Sequence, residues 1–457
     1  MTAEAALASI VLATTAVAAG SCPADDGKLH FVVIDPGHFH AALVQKHPYG
    51  DDVSTDVRVY APRGPELDAH LALIRSFNER AENPTRWNEI VYSGDDYLER
   101  AVEENRGARN VVVVLAGRND RKAGYCLAAV RAGFHVMADK PLAITPETYG
   151  TLSEAMRIAR EKNLVVMDLM TDRHEFLNSL QSELAHDAAL FGEQVAGSPE
   201  NPGIVRESVH HFFKLVNGAP LKRPAWYYDT SCQGAAIVDV TTHIVDDVRW
   251  TALRDARLSQ DDVEVVSARR WPTPVTLADF KASTGCGEWT EGLRRALDAD
   301  GVLQCDANGE FTYRQRGVFA KVRVEWRFRA QPGGGDASYA LMRGTKAEVG
   351  IRTGAADGAV LFVRPAPGAD AAKVGAALDA ALKRLSGRWP GLAFEPESVG
   401  WRVVAPKKLF VSHEEQFREV AKTILGWVRG GQPQGERDNL LVKYRTLVDA
   451  YRISGKK

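Results

Sequence analysis

Asn110–Ala116 reads NVVVVLA, and Leu29–Asp35 reads LHFVVID. Each is a short apolar run without alternation, which is what a strand buried on both faces of a parallel sheet requires. Working outward, Val57–Ala61 (VRVYA), Glu89–Ser93, Phe134–Ala138 and Leu164–Leu169 (LVVMDL) repeat the strand signal. Helix-like stretches lie between them: AALVQKH, Glu66–Arg80, Asp95–Glu104, Ala123–Ala132 stopped by Gly133, and Thr145–Lys162 with Pro146 in its first turn. This alternation predicts a mostly parallel sheet with helices on both faces and a ligand crevice at the carboxyl ends of the strands.

The texture changes after about residue 173. A helix-like Phe176–Leu190 precedes a Gly/Pro-rich loop, Gly192–Gly203, and then Val205–Val216 reads as a strand. Ile237–Leu253 reads as a helix. Gly317–Phe328, Tyr339–Arg343, Ala347–Arg352 and Val360–Val363 read as strands, with Pro332–Asp336 as a turn, and Glu414–Ser454 as two closing helices. The expected fold is α/β: an N-terminal parallel sheet over residues 28–172, then an α+β domain over 173–457 built on an open mixed or antiparallel sheet. Residues 1–27 form a leader or a disordered segment. Ala5–Gly20 is too short and weakly apolar to span a bilayer. It resembles the core of an export signal ending near Cys22, although no Lys or Arg precedes it. Cytoplasmic residence and export as a lipoprotein through Cys22 both stay open.

The 57 Lys+Arg and 59 Asp+Glu of this 457-residue chain leave a net charge of -2, which argues against a nucleic-acid partner. Five cysteines rule out a disulfide scaffold, and none is arranged C-x-x-C. No H-x-x-x-H or H-E-x-x-H occurs, so no metal is expected.

The loop after the first strand is Asp35-Pro36-Gly37-His38-Phe39-His40-Ala41. A Rossmann dinucleotide loop asks for G-x-G-x-x-G, and only Gly37 stands at a matching place. Pro62 and Arg63 occupy the end of the second strand, where an acid would hold the adenosine ribose. Arg63 there favours a 2′-phosphate, or is a solvated turn residue.

Three pieces together resemble the Gfo/Idh/MocA oxidoreductases. Ala138-Asp139-Lys140-Pro141 is similar to that family's E-K-P, Gly117-Arg118-Asn119 to its T-P-N, and Gly234 through Asp239 to His243 to its G-G-x-x-x-D-x-x-x-H. DPGHFHA, ESVHHFFK, ANGEF, LMRGTKA and NLLVKYRTLVDAYR are similar to a subgroup with an extended C-terminal domain. Lys122 stands where the family has a His. The resemblance implies an NAD(P)-dependent oxidoreductase acting on a hydroxyl or keto group of a sugar, glycoside or cyclitol, with Lys140, Asp239 and His243 as the catalytic set. Two alternatives are a redox-assisted, NAD-dependent glycosidase that retains its cofactor, and a non-catalytic cofactor-binding sensor. A homo-oligomer joined through the C-terminal domain's sheet is expected.

Oxidation of an alcohol needs a base with a pKa near the working pH. Lys140, at a strand end, is expected to be pushed toward neutrality by desolvation and by the positive nicotinamide ring; His243 is the other candidate for the proton. Asp239 and His243, four apart, would share a helix face, with Asp239 orienting and binding a hydroxyl. Gly37, His38, Phe39, His40, Arg63, Gly117, Asn119 and Lys140 are the cofactor-binding candidates. Those for substrate are His174, His210, Tyr228 and Asp229, with Arg173 and Glu175 beside them. His210 and His211 point to opposite faces of a strand, so at most one reaches the site.

Overall fold

The computed structural model describes residues 26–216, 219–254, 256–331, 335–355 and 358–455. The run Ala5–Gly20, Cys22 and residues 332–334 of the expected turn Pro332–Asp336 lie outside them. Strands β1 (His30–Ile34), β2 (Asp56–Ala61), β3 (Asn88–Ser93), β4 (Val111–Leu115), β5 (His135–Ala138) and β6 (Val166–Asp168) form one sheet in the order β3-β2-β1-β4-β5-β6. Every pairing is parallel. All residues of β1 and β4 are buried, as their unbroken apolar runs require. The chain order reverses between these two central strands, so the crevice opens there. Thr145 caps the helix Pro146–Glu161, and Gly133, at φ 92°, ends the helix Asn119–Ala132. That helix starts four residues before its predicted limit. Its first turn, NDRK, looks like loop in sequence, but Asn119 and Lys122 point inward and are buried.

A nine-stranded sheet follows. Its strands are β7 (Ile204–Phe213), β10 (Val263–Val275), β11 (Leu303–Gln315), β12 (Val318–Arg329), β13 (Ala337–Arg343), β14 (Ala347–Ala355), β15 (Gly358–Pro365), β16 (Ala393–Pro396) and β17 (Trp401–Val404). The intervening β8 (Leu215–Val216) and β9 (Ala219–Pro220) pair with each other. The order is β10-β11-β12-β7-β13-β14-β15-β17-β16, antiparallel except where β12 meets β7. Sequence reading passed over β10, whose Pro272 and Pro274 are tolerated because it is an edge strand with a register shift between Trp271 and Thr273.

One face of this sheet carries helices: Phe176–Ala185 packs on β14, and Thr241–Leu253 on β7 and β12. On the other face Glu310 meets Arg269, Lys321 and Arg323. The closing helices, His413–Gly430 and Gln434–Ser454, return to the first sheet, where Phe417, Leu440, Tyr444 and Leu447 join its core. Among the described residues no helix is long and apolar enough to cross a membrane, and Cys126, Cys232, Cys286 and Cys305 are free thiols.

Candidate active site

Lys140 follows β5 at the carboxyl end of the first sheet. The buried Lys122 fixes that turn, donating from Nζ to the carbonyls of Asp139 (2.8 Å) and Lys140 (3.3 Å). Lys140 Nζ donates to Asp239 Oδ1 at 2.6 Å, and Gln233 Nε2 donates to Asp239 Oδ2 at 2.9 Å. Both carboxylate oxygens are therefore engaged, and Asp239 orients Lys140 instead of offering itself to a ligand. Asp239 also lies in turns ahead of the helix, which begins at Thr241. Burial opposes the charge of Lys140, but Asp239 and Asp139 outweigh it and hold the ammonium above its ordinary pKa. The push toward neutrality expected from burial is thus outweighed by those two carboxylates. His243 lines the same cavity as Lys140, with Nδ1 buried, unbonded and 3.6 Å from Asp172 Oδ2.

That cavity has a volume of about 660 Å³ and runs between the two sheets. Trp226, Tyr227 and Trp326 form an aromatic wall, while Glu207, Asp336 and Tyr339 supply polar groups. His210 lines it, stacked on Trp326, with Nε2 at 3.1 Å from Ser208 Oγ and Nδ1 at 3.2 Å from Asp336 Oδ2. His211 is buried outside the lining, yet its Nδ1 also reaches Asp336, at 3.1 Å. Three substrate candidates fall elsewhere. Tyr228 is core, stacked on Phe212 with its hydroxyl 2.6 Å from Ser283 Oγ. Asp229 caps a short helix by accepting from the Ser231 amide. His174 does not line the cavity; its neighbours Asp172 and Glu175 do. Arg173 instead bridges Asp246 (2.6 and 2.8 Å) and Glu436 (2.9 Å).

Sequence reading passed over Trp226, Tyr227 and Asp172, each within two residues of a candidate it named. The local signal located the segment; side-chain direction picked the residue. His413, the first residue of a closing helix, also lines the cavity and carries no motif. Inside, Arg206 donates to Asn178 Oδ1 and Asp247 Oδ2. Burial, against the pull of Arg206, keeps the Asp247 carboxyl well above its ordinary range.

The loop after β1 explains its poor glycine pattern. Asp35 takes the first glycine's place in a left-handed conformation, φ 49°, and its Oδ2 accepts from Tyr125 Oη at 2.8 Å. A Cβ on Gly117 would stand 2.1 Å from the Asp35 carbonyl oxygen, so a glycine is needed across the gap instead. The Gly37 and His38 amides donate to Asp35 O (2.8 Å) and Ala116 O (2.9 Å). Asn119 Nδ2 donates to the Gln233 carbonyl at 2.7 Å, tying the loop to the segment that carries Asp239. Phe39 is exposed and lines the main cavity. Gly37, Arg63, Arg118 and Arg121 line a second, smaller cavity at the ends of β1 and β2. His38 Nδ1 and His40 Nδ1 stand 3.3 Å and 3.1 Å from Asp139 Oδ2.

Residues 180–455 match the family described as "Putative oxidoreductase C terminal domain". A solved structure of a "putative oxidoreductase" from Parabacteroides merdae ATCC 43184 is 42% identical, with a TM-score of 0.90 over 96% of this chain and 99% of that one. A levoglucosan dehydrogenase solved with NADH and levoglucosan shares the fold at 16% identity, with a TM-score of 0.57 over 93% of this chain and 97% of that one. The 1,5-anhydro-D-fructose reductase of Ensifer adhaerens is 30% identical over 171 residues, 36% of this chain; the chain spans 44% of that curated relative's length. Given the family match, the Parabacteroides likeness and the parallel sheet with its D-K-P turn, the chain belongs to the Gfo/Idh/MocA oxidoreductases, in the subgroup that carries this C-terminal domain.

Proposed function

We propose that the protein is an NAD(P)-dependent oxidoreductase that exchanges hydride between a nicotinamide ring and a hydroxyl- or keto-bearing carbon of a sugar, glycoside or cyclitol. The observation that carries this reading is the buried contact between Lys140, from the first sheet, and Asp239, from the second segment, beside the cavity that His243 also lines. The likeness to an anhydrofructose reductase supports the sugar class.

The residues present fit the cofactor. Arg63, Arg118 and Arg121 line the smaller cavity together with Asp35 and Glu66; Arg118 pairs with Asp120 and Arg121 with Asp35, so Arg63 is the guanidinium best placed for a phosphate, and its standing in place of a ribose acid supports NADP. Because the loop amides donate internally, guanidinium groups carry the neutralisation here. When bound, the nicotinamide supplies hydride exchange. Lys140, aligned by Asp239, donates a hydrogen bond to the reacting oxygen. His243, backed by Asp172, exchanges the proton. The aromatic wall covers the apolar faces of a sugar ring, and Glu207, Asp336 and Tyr339 take its hydroxyls. Lys140→Met should leave cofactor affinity largely intact and slow the chemical step by roughly 10²–10⁴-fold.

The test is a screen of sugars and glycosides by absorbance of the reduced nicotinamide, with analysis of any cofactor that copurifies. Cofactor binding without turnover on any polyol would leave a sensor. The second acid/base pair, His243 with Asp172, favours one further reading: a redox-assisted glycosidase, recognised by retained cofactor and a cleaved product. Self-association through the uncovered, charged face of the second sheet belongs to the proposal, and sedimentation of Glu310→Lys against the wild type checks it.

A further inference from the structure

His38, His40 and Asp139 meet where β1 and β5 end; the two histidines are cofactor-loop candidates, and the proton steps proposed above use none of the three. Each offers one ligand atom, and the three atoms lie within 4.8 Å of one another. Two edges of this triangle are known: Asp139 Oδ2 lies 3.3 Å from His38 Nδ1 and 3.1 Å from His40 Nδ1. A tetrahedral ion with bonds of about 2.0–2.1 Å sets its ligand atoms about 3.3–3.4 Å apart, close to both. The second observation is independent of the spacing. Both Nδ1 atoms are buried and make no hydrogen bond, so their contacts with the carboxylate are near but misaligned. Two buried nitrogens that share one carboxylate oxygen at ion-pair distance, neither with an aligned hydrogen bond, are better satisfied with an ion between the three. Asp139 is itself buried, its backbone pinned by Lys122, and the His38 and His40 rings stand 4.1 Å apart at 83°.

We propose that His38, His40 and Asp139 form a three-ligand site for a divalent transition-metal ion of the zinc class, open toward the cavity that Lys140 and His243 share. Two imidazoles and one carboxylate are borderline donors that suit such an ion over Mg²⁺ or Ca²⁺. Three protein ligands leave a fourth position, and all three residues line the cavity, so that position takes water or an oxygen of whatever the cavity holds. The sequence hides the site because the H-x-H pair and Asp139 stand on different strand ends.

The full-length protein, stripped with a chelator and dialysed, is titrated with Zn²⁺ against a chromogenic competitor and with Co²⁺, whose visible d–d band reports tetrahedral binding. One ion per chain is expected. His38→Ala and His40→Ala should each weaken Zn²⁺ by more than roughly 100-fold, beyond the roughly 10–100-fold an outer-sphere partner costs. His210→Ala, a cavity histidine outside the cluster, should bind as the wild type does. The two variants guard against loss of fold in either, and thermal melts confirm that the one measured is folded. No stoichiometric ion in the wild type, or unchanged affinity in a folded cluster variant, overturns the proposal. The titration needs no turnover, so its outcome and that of the dehydrogenase screen fail separately.

Discussion

Lys443→Met probes what joins the closing helix to the first sheet. Lys443 is 4% exposed and donates to Asp168 Oδ1 at 2.9 Å and Asp246 Oδ1 at 3.3 Å. Tyr444 donates to Asp168 Oδ2 at 2.7 Å, and the Leu142 amide donates to the Tyr444 hydroxyl at 2.8 Å. Asp246 keeps Arg173 in the variant, but Asp168, 1% exposed, is left with one hydroxyl donor for a full charge. Breaking a buried pair by removing one partner costs roughly 3–5 kcal/mol, because the remaining charge stays desolvated. Urea titration followed by tryptophan fluorescence should show that loss. Adding Asp168→Asn removes the stranded charge, so the double variant should recover about 1–2 kcal/mol relative to Lys443→Met. Arg157→Ala, which breaks exposed pairs with Glu154 and Glu161, should leave the midpoint in place. A cost below about 1 kcal/mol for Lys443→Met, with Asp168→Asn destabilising further, would refute the account of a charge held by burial.

Other outcomes follow from single positions. Arg63→Ala should weaken NADP about ten- to a hundredfold and NAD little, as measured by cofactor titration; an equal loss for both returns Arg63 to the solvated surface. Gly117→Ala must push back the Asp35 carbonyl and should cost roughly 1–3 kcal/mol of stability through overpacking, seen as a lower melting temperature, whereas Gly124→Ala, with open space around it, should not. Burial pushes the Glu89 carboxyl up to about 7; Gln45 Nε2 donates to it at 2.6 Å and His70 Nε2 stands 3.9 Å away. A raised folded-state pKa gives stability that is complete below about pH 4.5 and lost as pH rises through 7, at most roughly 3 kcal/mol by pH 8. Melts of Glu89→Gln should therefore match the wild type near pH 4.5 and exceed it at pH 8.

The first sheet was legible because its strands are buried on both faces, and burial on both faces writes an unbroken apolar run such as VVVVL. The second sheet was only partly legible. β11 reads LQCDANGEFTYRQ, polar enough to pass for loop, because tertiary pairing and one buried face override local propensity. At the site, the D-K-P turn and the Asp239-to-His243 spacing found residues that the fold does bring together, since each is fixed by a strand end or a helix start. Tyr228 and Asp229 misled because adjacent residues in a short 3₁₀ turn point in different directions, so Trp226 and Tyr227 face the cavity while Tyr228 enters the core. Asp172 sat beside the named Arg173 and His174 but was not itself singled out, and His413 had no signal beyond its residue type.

The site is held by a clamp between two segments far apart in sequence. Asn119 grips the Gln233 carbonyl, Gln233 grips Asp239, and Asp239 grips Lys140, whose own turn is pinned by Lys122. Every link is a buried or half-buried polar contact, so each is strong only while water stays out. The aromatic groups that exclude it, Trp226 and Tyr227, come from the segment just before the clamp. The closing helices then brace the neighbouring strand end, with Tyr444 and Lys443 bonded to Asp168 at the tip of β6. The first sheet thus supplies the lysine, the second segment supplies its carboxylate and the last helices hold the two together. A chain cut after the nine-stranded sheet would keep the motifs of the site while losing the contacts that set its geometry.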